Sequence, residues 1–314
     1  MAADSGSSLG AAVAPLTLVT EDGYPLAATR YRARAALRGV VVIAPATGVR
    51  MRYYSAFAEF LATQGFEVLT WDWRGIGDSR HEARWRDRRL TMRAWGERDL
   101  AAAICWAARR DHGAPVGVVG HSFGGQALGL AANADRVARA VLVSAQHGWV
   151  GHWPTRDQLL LRPLWQLVMP FLATVLGRFP SSWFGLGEDL PRGVAHDWAA
   201  WGRRREHLGT WAGHAALRAP LLVYSVSDDR IAPPRAVDAL IRGLCRGEGP
   251  APAAAARGVR GRLLGPLGLL SGGHDAVDLG RRGGVSGGGK CALTPRRSSG
   301  DIFPRLDPLA EYPR

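Results

Sequence analysis

Residues 116–130 read VGVVGHSFGGQALGL, and this stretch decides the fold. A β-branched run ends at His121 and Ser122, two glycines follow, and a pattern of helix-forming residues then begins. Gly120 and Gly124 lie two residues on either side of Ser122, which predicts a buried strand, a tight turn and a helix. In this G-x-S-x-G arrangement the turn holds a serine hydroxyl at the end of a central strand. We therefore predict that Ser122 is a nucleophile.

The same pattern occurs twice more, around Ser8 and Ser286. Ser8 lies in a leader rich in serine, glycine and alanine, and Ser286 lies in a glycine-rich segment. Neither serine follows a strand-like run or opens a helical one. A phosphate-binding turn is the alternative interpretation of residues 116–130, but the G-x-G-x-x-G and G-K-[ST] spacings are missing there. Only Ser122 has the strand-turn-helix context.

The chain has 314 residues, which fits one large α/β domain with an insertion, or two domains. Its hydrophobic content of 47% is that of a globular protein with a sizeable core. The net charge of +13 comes almost wholly from arginine, since Lys290 is the only lysine. The arginines are scattered and no nucleic-acid motif accompanies them. We interpret them as solvated surface charge and expect no nucleic-acid partner.

The remaining composition indicates a cytoplasmic protein without a disulfide framework. Residues 1–10 contain no apolar signal segment. The most apolar later stretch, 163–179, is too short to span a bilayer and is interrupted by Pro170, so no integral membrane segment is expected. The oligomeric state stays open. The cysteines are odd in number and fit neither disulfides nor a zinc site: Cys105, Cys245 and Cys291.

Strand-like and helical segments alternate along the chain. Strand-like runs occupy 15–20, 26–33, 39–45, 66–73, 116–119, 137–145 and 219–227, and helical patterns occupy 53–65, 92–110, the residues after Ser122, and 234–244. This alternation predicts an α/β fold with a mostly parallel, doubly wound sheet. Ligands then bind beyond the carboxyl ends of the strands, where Ser122 lies.

Three segments follow from this pattern. We expect residues 1–147 and 216–314 to form one α/β core, and residues 148–215 to form a helical cap insertion rich in tryptophan and proline. The tryptophans are expected to serve packing, with the alternative that some line an apolar substrate pocket. Residues 246–300 read as degenerate or flexible, and offer only a poor final strand within 258–270. A frame-shifted segment and a tolerated surface insertion both account for that composition.

A nucleophilic serine on such a strand-to-helix turn, called a nucleophile elbow, needs a base to take its proton and an acid to orient the base. In this type of fold the acid follows the serine along the chain, and the base follows the acid. Asp229 comes directly after the strand-like run 219–227 and is our choice for the acid, with Asp228 as the alternative. A carboxylate that only caps the next helix is the other interpretation of Asp229. His274 is the only histidine after Asp229, so its position makes it the predicted base.

Backbone N–H groups should form the oxyanion hole. One is that of Phe123, the residue after the nucleophile, and the other comes from the loop after the strand at 39–45. We favour Thr47 in that loop, with Ala46 as its neighbour. His121 precedes the nucleophile and is expected to be structural. No metal or organic cofactor is expected.

Two motifs resemble those of the α/β-hydrolase superfamily: GHSFGG at 120–125 and DWRGIGDSR at 72–80. The second is similar to a D-x-R-G-x-G-x-S signature, and the resemblance implies that Arg74 and Asp78 brace the loop beside the site. More closely, residues 13–240 resemble a bacterial group of predicted serine α/β hydrolases of unassigned substrate. The PATGV turn, the Y-x-x-F-A-x-x-L-A-x-x-G-F segment and the tryptophan-rich cap all match. The aromatic residues that this group carries after its histidine are missing after His274.

The resemblance and the set of Ser122, Asp229 and His274 together predict a serine hydrolase of the lipase or esterase kind that works through an acyl-enzyme, with a small-molecule, apolar carboxylic ester as its substrate. Dehalogenases and epoxide hydrolases of the superfamily use an aspartate nucleophile, which Ser122 disfavours. Acyltransferase, thioesterase, aminopeptidase and cofactor-free haloperoxidase activities stay open, because a fold does not fix its chemistry. A non-catalytic binding protein on the same scaffold is the alternative from another class.

Overall fold

A computed structural model of the protein describes residues 12–81, 87–110, 113–206, 213 and 216–244, together with the backbone of four strands further along the chain. The strands are β1 (Val13–Val19), β2 (Pro25–Tyr31), β3 (Gly39–Ala44), β4 (Phe66–Trp71), β5 (Val116–His121), β6 (Arg139–Val143), β7 (Arg178–Phe179), β8 (Leu190–Pro191), β9 (Leu221–Val226), β10 (Ala254–Val259), β11 (Arg262–Leu263), β12 (Leu270–Ser271) and β13 (Ala276–Val277). The main helices are α1 (Ser55–Thr63), α2 (92–108), α3 (Phe123–Gln126), α4 (Thr155–Leu176), α5 (Arg192–Arg203) and α6 (Pro234–Leu244).

One large sheet holds the molecule together, with the strand order β1-β2-β4-β3-β5-β6-β9-β10-β13. Every pair from β4 to β10 is parallel. The edges are antiparallel, with β1, β2 and β4 on one side and β13 on the other. The predicted α/β architecture with a mostly parallel sheet is therefore confirmed.

The core lies on both faces of this sheet. All six residues of β3 and all six of β4 are buried. Along β3, Val40 and Val42 pack into one hydrophobic cluster, while Val41 and Ile43 pack into another. Since successive side chains of a strand point to opposite faces, helices must cover both sides. The continuous β-branched runs in the sequence have this physical origin.

The last parallel strand lies earlier than the sequence suggests. We expected it within 258–270, but the structure pairs β10 (Ala254–Val259) with β9. Alanine has little intrinsic preference for strands. The main chain nevertheless pairs along the whole length of β9, and these backbone hydrogen bonds do not depend on side-chain type. The rest of 246–300 lies almost wholly outside the described residues.

Two helices also differ from the sequence patterns. The helix after Ser122 is short, because α3 ends at Gln126 and passes into a 3-10 turn at Ala127–Gly129. The helix expected over 92–110 is present, but it contains a π-helical stretch at Trp95–Leu100.

The helix α4 runs from Thr155 to Leu176 without a break, so the expected interruption at Pro170 is wrong. Its middle, Leu164–Val168, is π-helical, and Pro170 falls in the first turn of the α-helical segment that follows. Proline has no N–H to donate to the preceding turn, and it lies here where the hydrogen-bond pattern changes from π to α. The helix is 22 residues long and, by length and composition, sufficient to cross a membrane, which the sequence stretch 163–179 did not suggest.

Candidate active site

Ser122 lies at the sharp turn between β5 and α3, with φ 51° and ψ −117°. Positive φ is strained for any residue that has a Cβ, and such strain is found mostly at functional sites. Two hydrogen bonds hold the turn: the Ser122 amide donates to Val143 O on β6 at 2.9 Å, and the Gly125 amide donates to Ser122 O at 3.0 Å. The serine is thereby raised at the carboxyl end of a central strand.

The glycines of this turn are required by close approach of the backbone. A Cβ on Gly120 would lie 2.6 Å from the Cα of Gly125. A Cβ on Gly124 would lie 2.1 Å from the carbonyl oxygen of Ala44. Both distances are shorter than any real contact. The sequence interpretation of a turn too tight for larger side chains is confirmed.

The Ser122 hydroxyl donates to the side-chain oxygen of Gln146 at 3.4 Å. Gln146 is buried and follows β6 by three residues, so it lies at the same edge of the sheet as the serine. The sequence reasoning missed it. A single amide after a strand forms no pattern, although its place beyond a strand end was a usable signal.

Asp229 follows β9 and lines the same cavity as Ser122. It is buried, and its Oδ1 accepts the amides of Ile231 and Ala232 at 2.8 and 2.9 Å. These bonds fix the carboxylate while leaving it at the cavity wall. Asp228 is exposed and does not line the cavity. Of the two aspartates that the sequence offers, the structure brings Asp229 to the serine's cavity. His274 lies outside the described residues.

His121 lines the same cavity as Ser122 and Asp229, and its ring joins a short hydrogen-bond chain. The Tyr54 hydroxyl accepts the amide of Ala46 at 2.9 Å and lies 2.9 Å from His121 Nδ1. The tautomer of the imidazole decides which of the two groups donates the hydrogen bond between Tyr54 and His121. Burial lowers the pKa of His121 to about 4, so the ring is neutral at pH 7. Burial also raises the pKa of the Tyr54 hydroxyl.

The two predicted oxyanion donors flank this chain. Phe123 opens α3, and Thr47 lies in the loop after β3 and lines the cavity together with Ser122. In the described part of the chain, neither amide donates to another group. The Ala46 amide, by contrast, is engaged by Tyr54 and is not available to a ligand.

A cavity of about 400 Å³ opens above Ser122, between the strand ends and the helices α4 and α5. Most of its wall is apolar. The tryptophans of the inserted segment divide into two groups. Trp153, Trp165, Trp198 and Trp201 line the cavity, as the alternative interpretation of these residues had it, whereas Trp149 and Trp183 do not. Trp211 lies outside the described residues.

One ion pair lies at the cavity wall. The carboxylate of Asp157, near the start of α4, accepts from the Arg230 guanidinium at 2.6 Å. Asp157 is buried, and Arg230 is adjacent in sequence to Asp229. The pair thus connects the inserted helix to the loop that carries the candidate acid.

Arg74 braces the loop after β4, as the resemblance implied, but the side chain of Asp78 does not. Arg74 is fully buried and binds both Asp99 (2.7 Å) and Asp22 (2.9 Å). Hydrogen bonding to this guanidinium lowers the pKa of Asp22. Asp78 is exposed and contributes its backbone amide, which donates to Asp72 Oδ2 at 2.9 Å. The side chain of Asp72 therefore closes this loop.

The parallel sheet, the serine on its strained turn, and an acid beyond a later strand define an α/β hydrolase. The sequence matches the family described as serine aminopeptidase, S33, over residues 35–200, which is more than half of the chain, and the protein belongs to that family. No curated protein matches the chain.

Solved structures show the same fold at low sequence identity. A soluble variant of monoglyceride lipase from Saccharomyces cerevisiae, in complex with a substrate analog, has 17% identity and a TM-score of 0.57, and the match covers 78% of this chain and 86% of the lipase. A thermostable carboxyl esterase from Bacillus coagulans, in complex with glycerol, has 13% identity and a TM-score of 0.56, with 80% and 91% covered. At these identities the likeness establishes the fold.

Proposed function

We propose that the protein is a serine hydrolase that cleaves carboxylic esters with an apolar acyl group. The observation that carries this proposal is the common cavity of Ser122 and Asp229, which is apolar and lies beyond the ends of β5 and β9. An apolar cavity with few polar groups at one end suits a ligand with one reactive polar bond. The structural relatives named above, a lipase and an esterase, are consistent with this chemistry.

The proposed reaction has two halves. In the first, Ser122 Oγ attacks the ester carbonyl carbon, and its proton passes to His274. The oxyanion of the tetrahedral intermediate accepts hydrogen bonds from the Phe123 and Thr47 amides. The intermediate then collapses to the acyl-enzyme, and the alcohol leaves with the proton from His274. In the second, His274 takes a proton from water, the hydroxide attacks the acyl-enzyme, and Ser122 recovers its proton as the acid departs. Asp229 orients the imidazole of His274 throughout.

The hydrogen bond from Ser122 to Gln146 fits the resting enzyme. At 3.4 Å it is long and therefore weak, so a base can replace Gln146 as the acceptor of the serine proton at little cost. Gln146 then holds the hydroxyl in the cavity until the base engages it.

An aminopeptidase is the second candidate, because the family description names that activity. Such an enzyme needs an unpaired acid for the substrate ammonium group. The cavity wall in the described residues holds two carboxylates, Asp157 and Asp229. Asp157 is paired with Arg230, and Asp229 is the proposed triad acid. This arrangement favours the ester.

Residues 148–215 form, in our proposal, a cap that sets acyl-chain preference. Trp165 on α4 and Trp198 and Trp201 on α5 line the cavity that holds Ser122, as does Trp153, which lies just before α4. The cap closes the side of the cavity opposite the strand ends, so its shape limits the length of the acyl group.

A labelling experiment separates these proposals. A fluorophosphonate probe should label the protein, and the Ser122→Ala variant should stay unlabelled; Ser8→Ala and Ser286→Ala serve as controls that label normally. Turnover of p-nitrophenyl esters should fall on the order of 10⁶-fold in Ser122→Ala. Hydrolysis of aminoacyl p-nitroanilides in preference to esters would establish the aminopeptidase. A folded protein that neither labels nor hydrolyses either substrate would be a binding protein instead.

A further inference from the structure

The outer side of the inserted segment carries a concentrated apolar surface. Among the described residues, thirteen large hydrophobic side chains are exposed, and nine of them lie between 159 and 184. Elsewhere such side chains stand singly, which is normal for a soluble surface. We call these nine the outer face: Leu159, Leu160, Leu167, Val168, Phe171, Val175, Leu176, Trp183 and Phe184.

Helix geometry places part of the outer face on one side of α4. Leu160, Leu167 and Phe171 follow at intervals of seven and four residues, which puts them on one side of α4. Trp165 and Met169, four residues apart, are buried on the other side and line the cavity. From Leu164 to Leu176 the helix therefore carries apolar side chains on both sides, but the protein covers only one of them.

The outer face reaches the mouth of the cavity. Leu160 is 73% exposed and Ile231 is 46% exposed, yet both also line the cavity wall. A ligand that rests on the outer face can thus enter the cavity along an apolar path.

The charges around the outer face are positive. The only carboxylate of α4 is Asp157, which is buried and paired with Arg230. The side chains of Arg156 and Arg230 are 79% and 72% exposed, and Arg178, which pairs with Asp189, follows the end of the helix with its side chain 49% exposed. These three arginines outnumber the two carboxylates beside them, Asp157 and Asp189, so the charge is positive on balance. The chain as a whole has a net charge of +13. An anionic surface complements this arrangement.

We propose that the outer face docks on an anionic phospholipid surface, and that an apolar ester passes from the lipid into the cavity without crossing water. The docking names the source of the substrate, and in that respect it rests on the proposed function. The helix lies on the membrane and does not span it, because its inner side forms the wall of the cavity. Apolar insertion and attraction between arginine and lipid headgroups are the two contributions that hold such a surface helix.

Cosedimentation with vesicles tests the docking. The protein should bind vesicles made of equal parts phosphatidylcholine and phosphatidylglycerol, should bind pure phosphatidylcholine more weakly, and should lose affinity as salt is added. The double variant Leu167→Glu with Phe171→Glu should bind anionic vesicles at least about tenfold less well. Neither residue lines the cavity, so hydrolysis of a short, water-soluble ester should be unchanged. Val19→Glu, a charge placed on an exposed valine of β1, is the matched control and should bind normally.

Each further outcome is decisive. Equal vesicle binding by the wild type and the double variant would overturn the proposal. A wild-type dimer that the double variant splits, together with no vesicle binding, would show that a second copy of the chain covers the outer face. Ser122→Ala should bind vesicles as the wild type does, so the docking is measured independently of hydrolysis. Vesicle binding without ester turnover would leave the docking intact and refute the proposed function. A melt followed by circular dichroism checks that each variant is folded.

Discussion

The hydroxyl of Tyr54 lies 2.9 Å from Nδ1 of His121, and this contact ties the loop after β3 to the turn that carries Ser122. Through the same oxygen, Tyr54 also holds the amide of Ala46. A single buried side chain therefore fixes the spacing between the two halves of the proposed oxyanion hole.

Removal of the Tyr54 hydroxyl should lower both the stability of the protein and its turnover number. We expect Tyr54→Phe to lower the free energy of unfolding by about 1–3 kcal/mol, since the buried Ala46 amide and His121 lose their partner. The turnover number should fall with little change in KM, because the Thr47 amide would act mainly on the transition state. Urea unfolding and ester kinetics measure the two effects. Tyr31→Phe, which also breaks one hydrogen bond of a buried tyrosine (to Ser55, 3.1 Å), should lower stability alone.

His121 should make the protein less stable in mild acid. Its folded-state pKa of about 4 lies below the ordinary value of 6.5, because burial disfavours the charged ring. The neutral ring therefore makes its full contribution to the free energy of unfolding above pH 6.5, and this contribution is lost as the pH falls toward 4. The loss is at most about 3 kcal/mol, because the ring is partly accessible to solvent. Unfolding free energies at pH 7 and pH 5 should differ less in His121→Gln than in the wild type. An unchanged difference would contradict this account.

The backbone strain at Ser122 should be measurable as a difference in stability between two variants of this residue. Glycine adopts positive φ freely, so Ser122→Gly should be more stable than Ser122→Ala by about 1 kcal/mol or more. Both variants lack the hydroxyl and should be equally inactive on p-nitrophenyl esters. Thermal melts of the two variants, compared with each other, isolate the backbone contribution. Equal melting temperatures would mean that the turn is not strained.

The two neighbouring aspartates should behave differently. Asp229→Asn should lower the turnover number by about 10⁴-fold, as loss of a triad acid does, because the imidazole is then held in the wrong tautomer. Asp228→Asn should have no effect, since that side chain is exposed and lies outside the cavity. Kinetics with one ester suffices. Normal activity of Asp229→Asn would mean that this carboxylate only caps the Ile231 and Ala232 amides and has no part in the reaction.

Trp165 offers a way to enlarge the cavity. It is buried, meets Trp153 edge to face at 5.7 Å, and its indole nitrogen has no hydrogen-bond partner among the described residues. Trp165→Phe should therefore shift the preference in kcat/KM toward longer acyl chains while costing less stability than an alanine would. A chain-length series of p-nitrophenyl esters measures the shift. Trp106→Phe, on α2 and away from the cavity, should leave the preference unchanged. An effect on melting temperature alone would exclude Trp165 as a determinant of chain length.

The sheet could be predicted because its signals are local. The β-branched residues of β3 and β5 and the mainly apolar run of β4 identify strands buried on both faces, and the turn around Ser122 follows from glycine spacing. The choice of Asp229 over Asp228 was possible only as a preference from sequence, since burial distinguishes the two and burial depends on tertiary packing.

The inserted segment was harder to predict, because its structure departs from local rules. A proline normally ends a helix, yet π-helical turns carry α4 past Pro163 and Pro170. The uncovered outer face could not be predicted either. A stretch that is apolar on every side indicates burial on every side, and only the packing of Trp165 and Met169 shows which side the protein covers.

The strand order also bears on how the protein is made. Synthesis delivers Ser122 and the strands β1 to β6 first, and Asp229 follows more than a hundred residues later. Asp229 reaches the cavity only when β9 pairs with β6. A nascent chain on the ribosome therefore carries the serine for some seconds with no acid beside it, since translation adds roughly 5–20 residues per second. Premature release at any point before β9 would yield a chain that has Ser122 but lacks the proposed acid, so that, on the proposed function, ester turnover should be confined to chains synthesised past β9.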